Sequence, residues 1–376
     1  MSLALAAGLT VISATSAAAA PPSWTCAYVA ERLPRALALQ GDIAVSAGET
    51  RAARQRLSLP EAVLTRAGAL AVARALGGSR LVVVRCLDDR DQTTLEAQAF
   101  EVDLPAAGEV ARVVRPRAEI AAAIDEIARR LASTGPRGEA PALRAPAALA
   151  LERAGPALAA ATASERARGL TAALAVDPDS IDLRLSAVEA LIAARDFDPA
   201  IRLAAAPPAP GTPGALARSL RFQGGAAQLE AGRYADAAET FSSLVQARET
   251  AAALNNLGVA RFRLRDPEAS SFFARAGSLG DQRQNDISFN RALALLFEGR
   301  AEQALATLDR SIEAAPGDAR TRLLKVWALR RLNREVERGE EWERLMEIAP
   351  SFASLGNPDL ARRLERIFLS ERIPGP

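Results

Sequence analysis

Few residues in this chain combine a reactive side chain with a spacing that chemistry could use. Gly77-Gly78-Ser79 precedes an apolar run, but it lacks the glycine spacing and the lysine of a phosphate loop. Asp88, Asp89 and Asp91 form an acidic cluster without the glycine and distal glutamate of a calcium loop. They read as a solvated turn. Glu335, Glu337, Glu340 and Glu341 contain pairs that could act as acid and base. At helical spacing they can instead pair with Arg334, Arg338 and Arg344, which gives a solvated charged face. The chain has no His, so the commonest general base and metal ligand is missing. Its two cysteines, Cys26 and Cys86, are too few for a four-thiolate zinc site. No catalytic, cofactor-binding or metal-ligating set emerges, and the residues argue for binding without chemistry.

At 376 residues the chain suits two or three domains. Apolar residues make up 49% and aromatics 4%, a balance that favours close-packed helices over a β-sandwich. The 47 basic and 45 acidic residues give no basic surface for nucleic acid or membrane. The only lysine is Lys325.

The elements that could position a binding site are repeated. From Ser219 to Pro350 the sequence recurs every 33 or 34 residues. Gly225, Gly258, Ala292 and Val326 form one column, and Ala227, Ala260, Ala294 and Ala328 lie two places later. Ala237, Ala269 and Ala304 form another small column, and Phe241, Phe273, Leu308 and Trp342 a large one. Each unit reads as helix, turn and helix, with Gly232 and Gly299 at two turns and Asp266 and Asn333 near the others. Small residues let the two helices approach, and the large residue plugs the gap between units. Leu257-Gly258 with Ala260, the set Gly232, Tyr234, Ala237 and Phe241, and the set Gly299, Ala304, Leu308 and Pro316 resemble the tetratricopeptide repeat. Val326 and Arg338 depart from that pattern in the last unit.

The resemblance implies an all-α superhelix over residues 218–352 that binds a protein or peptide partner. Helix-forming sequence over 147–206 reads as degenerate repeats, and the Pro/Gly-rich stretch 207–214 as a break. Residues 357–372, with Leu360, Leu364, Ile367 and Phe368 on one side, read as a solubilising cap. By register the first helices would line a groove with Phe222, Asn255, Phe262, Arg263, Phe289, Arg320, Trp327, Arg330 and Arg331. Aromatics joined to arginine are the mix enriched at binding hot spots, although an array needs aromatics for its core as well.

Residues 24–132 alternate strand and helix and predict a small α/β domain. Pro34 is expected to kink or split the helix over Thr25–Leu39. Strands are expected at Asp42–Ser46, Arg80–Leu87, Thr93–Leu104 and Val110–Arg115, with a turn over Asp88–Gln92. The parity switch from Leu95, Ala97 and Ala99 to Phe100, Val102 and Leu104 suggests a bulge. Helices are expected from Ser58 to Leu76 and from Arg117 to Ala132. The stretch from Ala73 to Val84, with the hairpin and the helix at Ile120, resembles the amino-terminal domain of the periplasmic TolB family. Residues 133–146, rich in Pro, Gly and Ala, read as a linker.

Residues 1–20 are short, apolar and end in an Ala-x-Ala pattern, which predicts a signal peptide; a membrane anchor is the rival reading. With the signal removed no membrane span is expected. An exported chain would place Cys26 and Cys86 where a disulfide can form, while two buried thiols explain them equally. The expected function is a scaffold or adaptor, periplasmic or otherwise exported, without enzymatic activity or cofactor. The alternative is a cell-envelope accessory protein whose α/β domain binds a small ligand or envelope component.

Overall fold

The computed structural model describes residues 8–15, 24–40, 43–45, 50, 53–54, 66–75, 80–89, 91–102, 110–132, 144–158, 160, 162–280 and 284–350. It contains two compact units, which divide between Ala227 and Gln228.

The first unit begins with a five-stranded sheet. Its strands are β1 (Gly8–Thr15), β2 (Ile43–Val45), β3 (Arg80–Asp89), β4 (Gln92–Glu101) and β5 (Val110–Pro116), in the order β2-β1-β3-β4-β5. β1 runs parallel to both β2 and β3, and β3, β4 and β5 are antiparallel. Three helices accompany the sheet: α1 (Trp24–Leu39), α2 (Arg66–Ala75) and α3 (Ile120–Leu131), the last entered through a 3-10 turn at Arg117–Glu119. Ile120, Ile124, Ile127 and Leu131 are all buried, as their spacing requires.

Several sequence expectations change here. Pro34 lies inside a continuous α1 and does not split it. β3 extends to Asp89 and β4 starts at Gln92, so Asp88 and Asp89 belong to a strand and the turn is tighter than expected. β4 pairs with β3 one residue to one residue from Gln92 to Glu101, with no bulge. The parity switch has another cause, because both faces of the sheet are covered at that end. Leu95, Ala97 and Ala99 join the core that includes α1 and α3, whereas Phe100 and Val102 pack with Leu81 against Ala69, Val72 and Ala73 of α2. Cys86 is buried on β3, while the Cys26 side chain lies outside the described residues, and with it the disulfide expectation.

The segment read as a signal peptide holds β1, which is hydrogen-bonded on both sides, between β2 and β3. Cleavage after Ala20 would remove that strand. The apolar run that suggested a leader also suits an interior strand with parallel neighbours.

Helices α4 (Ala148–Leu158), α5 (Ala163–Leu174), α6 (Ile181–Ala193) and α7 (Phe197–Ala205) follow, and α8 (Gly214–Glu230) spans the boundary between units. Of the expected linker, residues 133–143 lie outside the described residues. The parts on either side of it share one core, in which Tyr28, Val29, Leu33 and Leu37 of α1 belong with Leu151, Leu170, Leu185 and Leu191. The start of α4 is fixed by Asp177, which accepts the Ala147 N–H at 2.8 Å and a bond from Arg144 at 2.8 Å. The beginning of the Pro/Gly-rich break is held by Arg184, whose guanidinium donates to the carbonyls of Pro178 and Pro207 at 2.8 Å each.

α1 meets α6 through charge. Arg32 is fully buried and donates to Asp125 of α3 at 2.9 and 3.2 Å, to Asp182 of α6 and to the Tyr28 hydroxyl at 3.1 Å. Tyr28 donates onward to Asp182 at 3.3 Å. Arg35 donates to the Asp182 carbonyl at 2.9 Å and to the Ser186 hydroxyl at 3.0 Å. Burial disfavours the Arg32 charge, but Asp182, Tyr28 and Asp125 outweigh it and raise the pKa of the guanidinium. Burial pushes the Tyr28 hydroxyl well above its ordinary value and also raises Asp125, where it outweighs the pull of Arg32.

The second unit continues with α9 (Tyr234–Ala247), α10 (Ala251–Arg263), α11 (Ala269–Ser278), α12 (Gln284–Phe297), α13 (Ala301–Ala314), α14 (Ala319–Arg331) and α15 (Glu335–Ile348), each packed on the next. The turns between paired helices each need one left-handed residue. Gly232 and Gly299 supply it at φ 76° and 79°, and Arg265 and Asn333 at 62° and 56°. In the second turn it is thus Arg265, not the neighbouring Asp266, that reverses the chain. A residue with a Cβ stores strain there that glycine would not. Residues 351–376, including the expected cap, lie outside the described residues.

A chain that starts at Pro21 should lose the sheet, because β3 would give up its parallel partner. In hydrogen exchange of the full and shortened chains, the β3 amides from Arg80 to Cys86 should lose protection in the shortened one. Equal protection would show that β1 is dispensable.

Candidate protein-binding face

Close packing of the helices sets this face. Ala260, Ala294 and Ala328 are buried on the first helices, and Ala237, Ala269 and Ala304 on the second. Gly258 of α10 is required by contact, since a Cβ there would lie 2.8 Å from the Phe273 ring. Thr250 and Asp318 fix the starts of α10 and α14 by accepting backbone N–H groups with their side chains.

At the carboxyl ends of these first helices lies a line of aromatic rings. The rings of Phe262 (α10) and Phe297 (α12) meet edge to face, with centroids 5.1 Å apart. Phe297 meets Trp327 (α14) in the same way at 5.5 Å. The Arg331 guanidinium lies 5.2 Å from the Trp327 ring centre, and that of Arg263 5.5 Å from the ring of Tyr234. These are favourable aromatic and cation–π geometries. Phe297 is 42% exposed although its ring meets both of its ring neighbours edge to face. Arginine near helix carboxyl ends also complements the helix dipole.

Of the nine residues expected to line a groove, Phe262, Trp327 and Arg331 come together here, but Trp327 is itself a core residue, 5% exposed and clustered with Leu323 and Leu324; Arg263 and Arg330 are on the same helix ends. Three others are core residues. Asn255 is fully buried, with its amide bonded to Asn256 at 3.2 Å and to Asn290 at 3.0 Å. Phe289 is fully buried among Leu293, Leu323 and Leu324. Phe222 is buried and belongs to the first unit. Arg320 lies 5.9 Å from the Phe289 ring centre and pairs with Asp286 at 3.2 Å, so it covers the core. Sequence reasoning missed Phe297, although Arg263, Phe297 and Arg331 are spaced 34 residues apart and share one column.

The acidic residues of α15 are not uniformly solvated. Arg334 pairs with Glu337 and Arg338 with Glu335, each at 2.6 Å. Glu341 is instead buried and held by Arg322 and Lys325. Burial would lower the Lys325 pKa, but its bond to Asp309 and the nearby Glu341 raise it. Among the described residues, no group of three or more His, Cys, Asp or Glu is placed to hold a metal ion, and no helix is long and apolar enough to cross a membrane.

No family model matches the sequence, and no curated protein matches it. Among solved structures, the chain is similar to the MamA protein at 19% identity and a TM-score of 0.39, over 47% of this chain and 96% of that one. It is similar to YrrB, described as a TPR protein with an unusual peptide-binding site, at 17% identity and a TM-score of 0.39, over 54% of this chain and 100% of that one. It is also similar to the LpoB C-terminal domain from Salmonella enterica at 21% identity and a TM-score of 0.25, over 30% of this chain and 84% of that one. These likenesses are partial, and the tetratricopeptide-type reading rests on this chain's own repeated helix pairs.

Gly258→Ala should force the Phe273 ring to move and cost about 1–3 kcal/mol by overpacking. Chemical denaturation of the variant measures this, and unchanged stability would mean that the helices are not in such close contact.

Proposed function

We propose that the protein is a non-enzymatic adaptor that holds a protein or peptide partner on the aromatic and arginine face of its second unit. The observation that carries this reading is Phe297, exposed to water yet locked between Phe262 and Trp327. An exposed aromatic in contact with Trp327, whose ring also meets Arg331, suits a partner segment with apolar anchors and acidic groups. The sheet part keeps its resemblance to the TolB amino-terminal domain within this proposal. Export is part of this proposal, and a mature chain that keeps residues 8–15, which form β1, would argue against a leader over residues 1–20.

One observation favours a second reading. Leu87, Val110 and Val114 are exposed on the sheet, and Leu87 and Val114 both pair with Thr94. This face could take a ligand or envelope component, with the repeats only placing it.

Capture from an extract of the native host by the immobilised full chain separates the two. Under the first reading, Phe297→Ala and the pair Arg330→Glu, Arg331→Glu each reduce capture about tenfold or more, with helical circular dichroism unchanged. Capture should also weaken as salt rises. Capture that survives both variants but is lost in Val114→Glu would contradict the first reading and support the second.

A further inference from the structure

Ser270 and Glu298 break the repeat pattern at matching places. The residues that precede the left-handed turn positions are Ala231, Leu264, Glu298 and Leu332. The residues that follow the small column Ala237, Ala269 and Ala304 are Ala238, Ser270 and Leu305, all buried. Each set is otherwise apolar, and the two polar exceptions meet. The Glu298 carboxylate accepts the Ser270 N–H at 2.9 Å and the Ser270 hydroxyl at 2.7 Å. Arg300 donates to the same carboxylate at 3.0 Å and to the Ser270 hydroxyl at 3.2 Å.

The Glu298 side chain is 8% exposed, so these charge-assisted bonds are sheltered from water. They also cap a helix from one repeat away. Ser270 lies in the first turn of α11, whose own N-cap residue, Glu268, makes no side-chain cap bond. A carboxylate there satisfies an amide that the helix leaves open and complements the positive end of its dipole.

Glu298 directly follows Phe297, the last residue of α12. Its side chain therefore ties the end of α12 to the start of α11, beside the exposed ring that lies between Phe262 and Trp327. In the column Glu230, Arg263, Phe297 and Arg331, the tie accompanies the aromatic member. Helix ends fray, and an exposed apolar ring gains by turning away from water. The tie opposes both.

We propose that Glu298 and Ser270 are positioning residues for the binding face: they fix the end of α12 so that the Phe297 ring stays presented to a partner. This rests on the reading of that face given above. Neither residue needs to touch the partner.

Incorporating 4-fluorophenylalanine at position 297 of the full chain gives one fluorine resonance that reports on the ring's surroundings. Ser270→Ala with Glu298→Leu gives this turn residue types found at the same places in other units, so helical circular dichroism should be kept. The resonance should shift and broaden. Glu298→Gln retains a carbonyl for the Ser270 N–H and should leave the resonance as in wild type. Capture from host extract should fall about tenfold in the double variant and stay near wild type in Glu298→Gln. An unchanged resonance in the double variant would overturn the proposal, since Phe262 and Trp327 would then place the ring alone. Unfolding of the second unit in that variant would overturn it too, because the pair would then support the fold and not the ring. A shifted resonance with undiminished capture would uphold the positioning and contradict the binding-face reading.

Discussion

The first unit depends on one guanidinium. Arg32 is withdrawn from water and shared by Asp125 on α3, Asp182 on α6 and the Tyr28 hydroxyl. An ion this buried is costly unless its hydrogen bonds are made, and these three partners come from both the sheet-associated helices and the repeat-like helices. Neither part could therefore satisfy the group alone. The surrounding apolar core, continuous from Val82 and Val84 of β3 to Leu185 and Leu191 of α6, supplies the non-directional part of the packing.

The second unit follows a different rule. Its order comes from alternating small and large columns, which let helices cross closely and then close each joint. The same closeness brings the carboxyl ends of α10, α12 and α14 near enough for Phe262, Phe297 and Trp327 to touch in sequence. The candidate binding face is thus a consequence of the repeat: residues about one unit apart, Phe262 with Phe297 and Phe297 with Trp327, become neighbours across successive first helices.

The helix pairs of the second unit were legible because a fixed period reports on packing directly. The α3 face was legible for the same reason, with Ile120, Ile124, Ile127 and Leu131 at helical spacing. What escaped was what periodicity cannot encode. Arg32 and Asp182 are 150 residues apart, and nothing local marks them as partners. The leader expected over residues 1–20 overlaps β1, because an interior strand with parallel neighbours is largely apolar, as a leader is. The switch of parity at Phe100 looked like a bulge because a sequence does not say which face of a sheet a helix will cover. Asn255 and Phe289 were placed on a groove by register, but their side chains finish buried contacts, whereas Phe297 fell outside the expected set and is exposed.

The claim that one charged contact fuses sheet and helices is tested most directly by denaturant-dependent hydrogen exchange on wild type and on Arg32→Met. In the wild type, the amides of β3 and β4 and those of α4 to α7 should open with the same free energy. Arg32→Met should lower that value by about 3–5 kcal/mol, since it leaves Asp125 and Asp182 without their cation. Arg32→Met combined with Asp182→Leu should recover much of the loss. Separate opening of sheet and helices in the wild type, or an Arg32→Met variant as stable as the parent, would contradict the account.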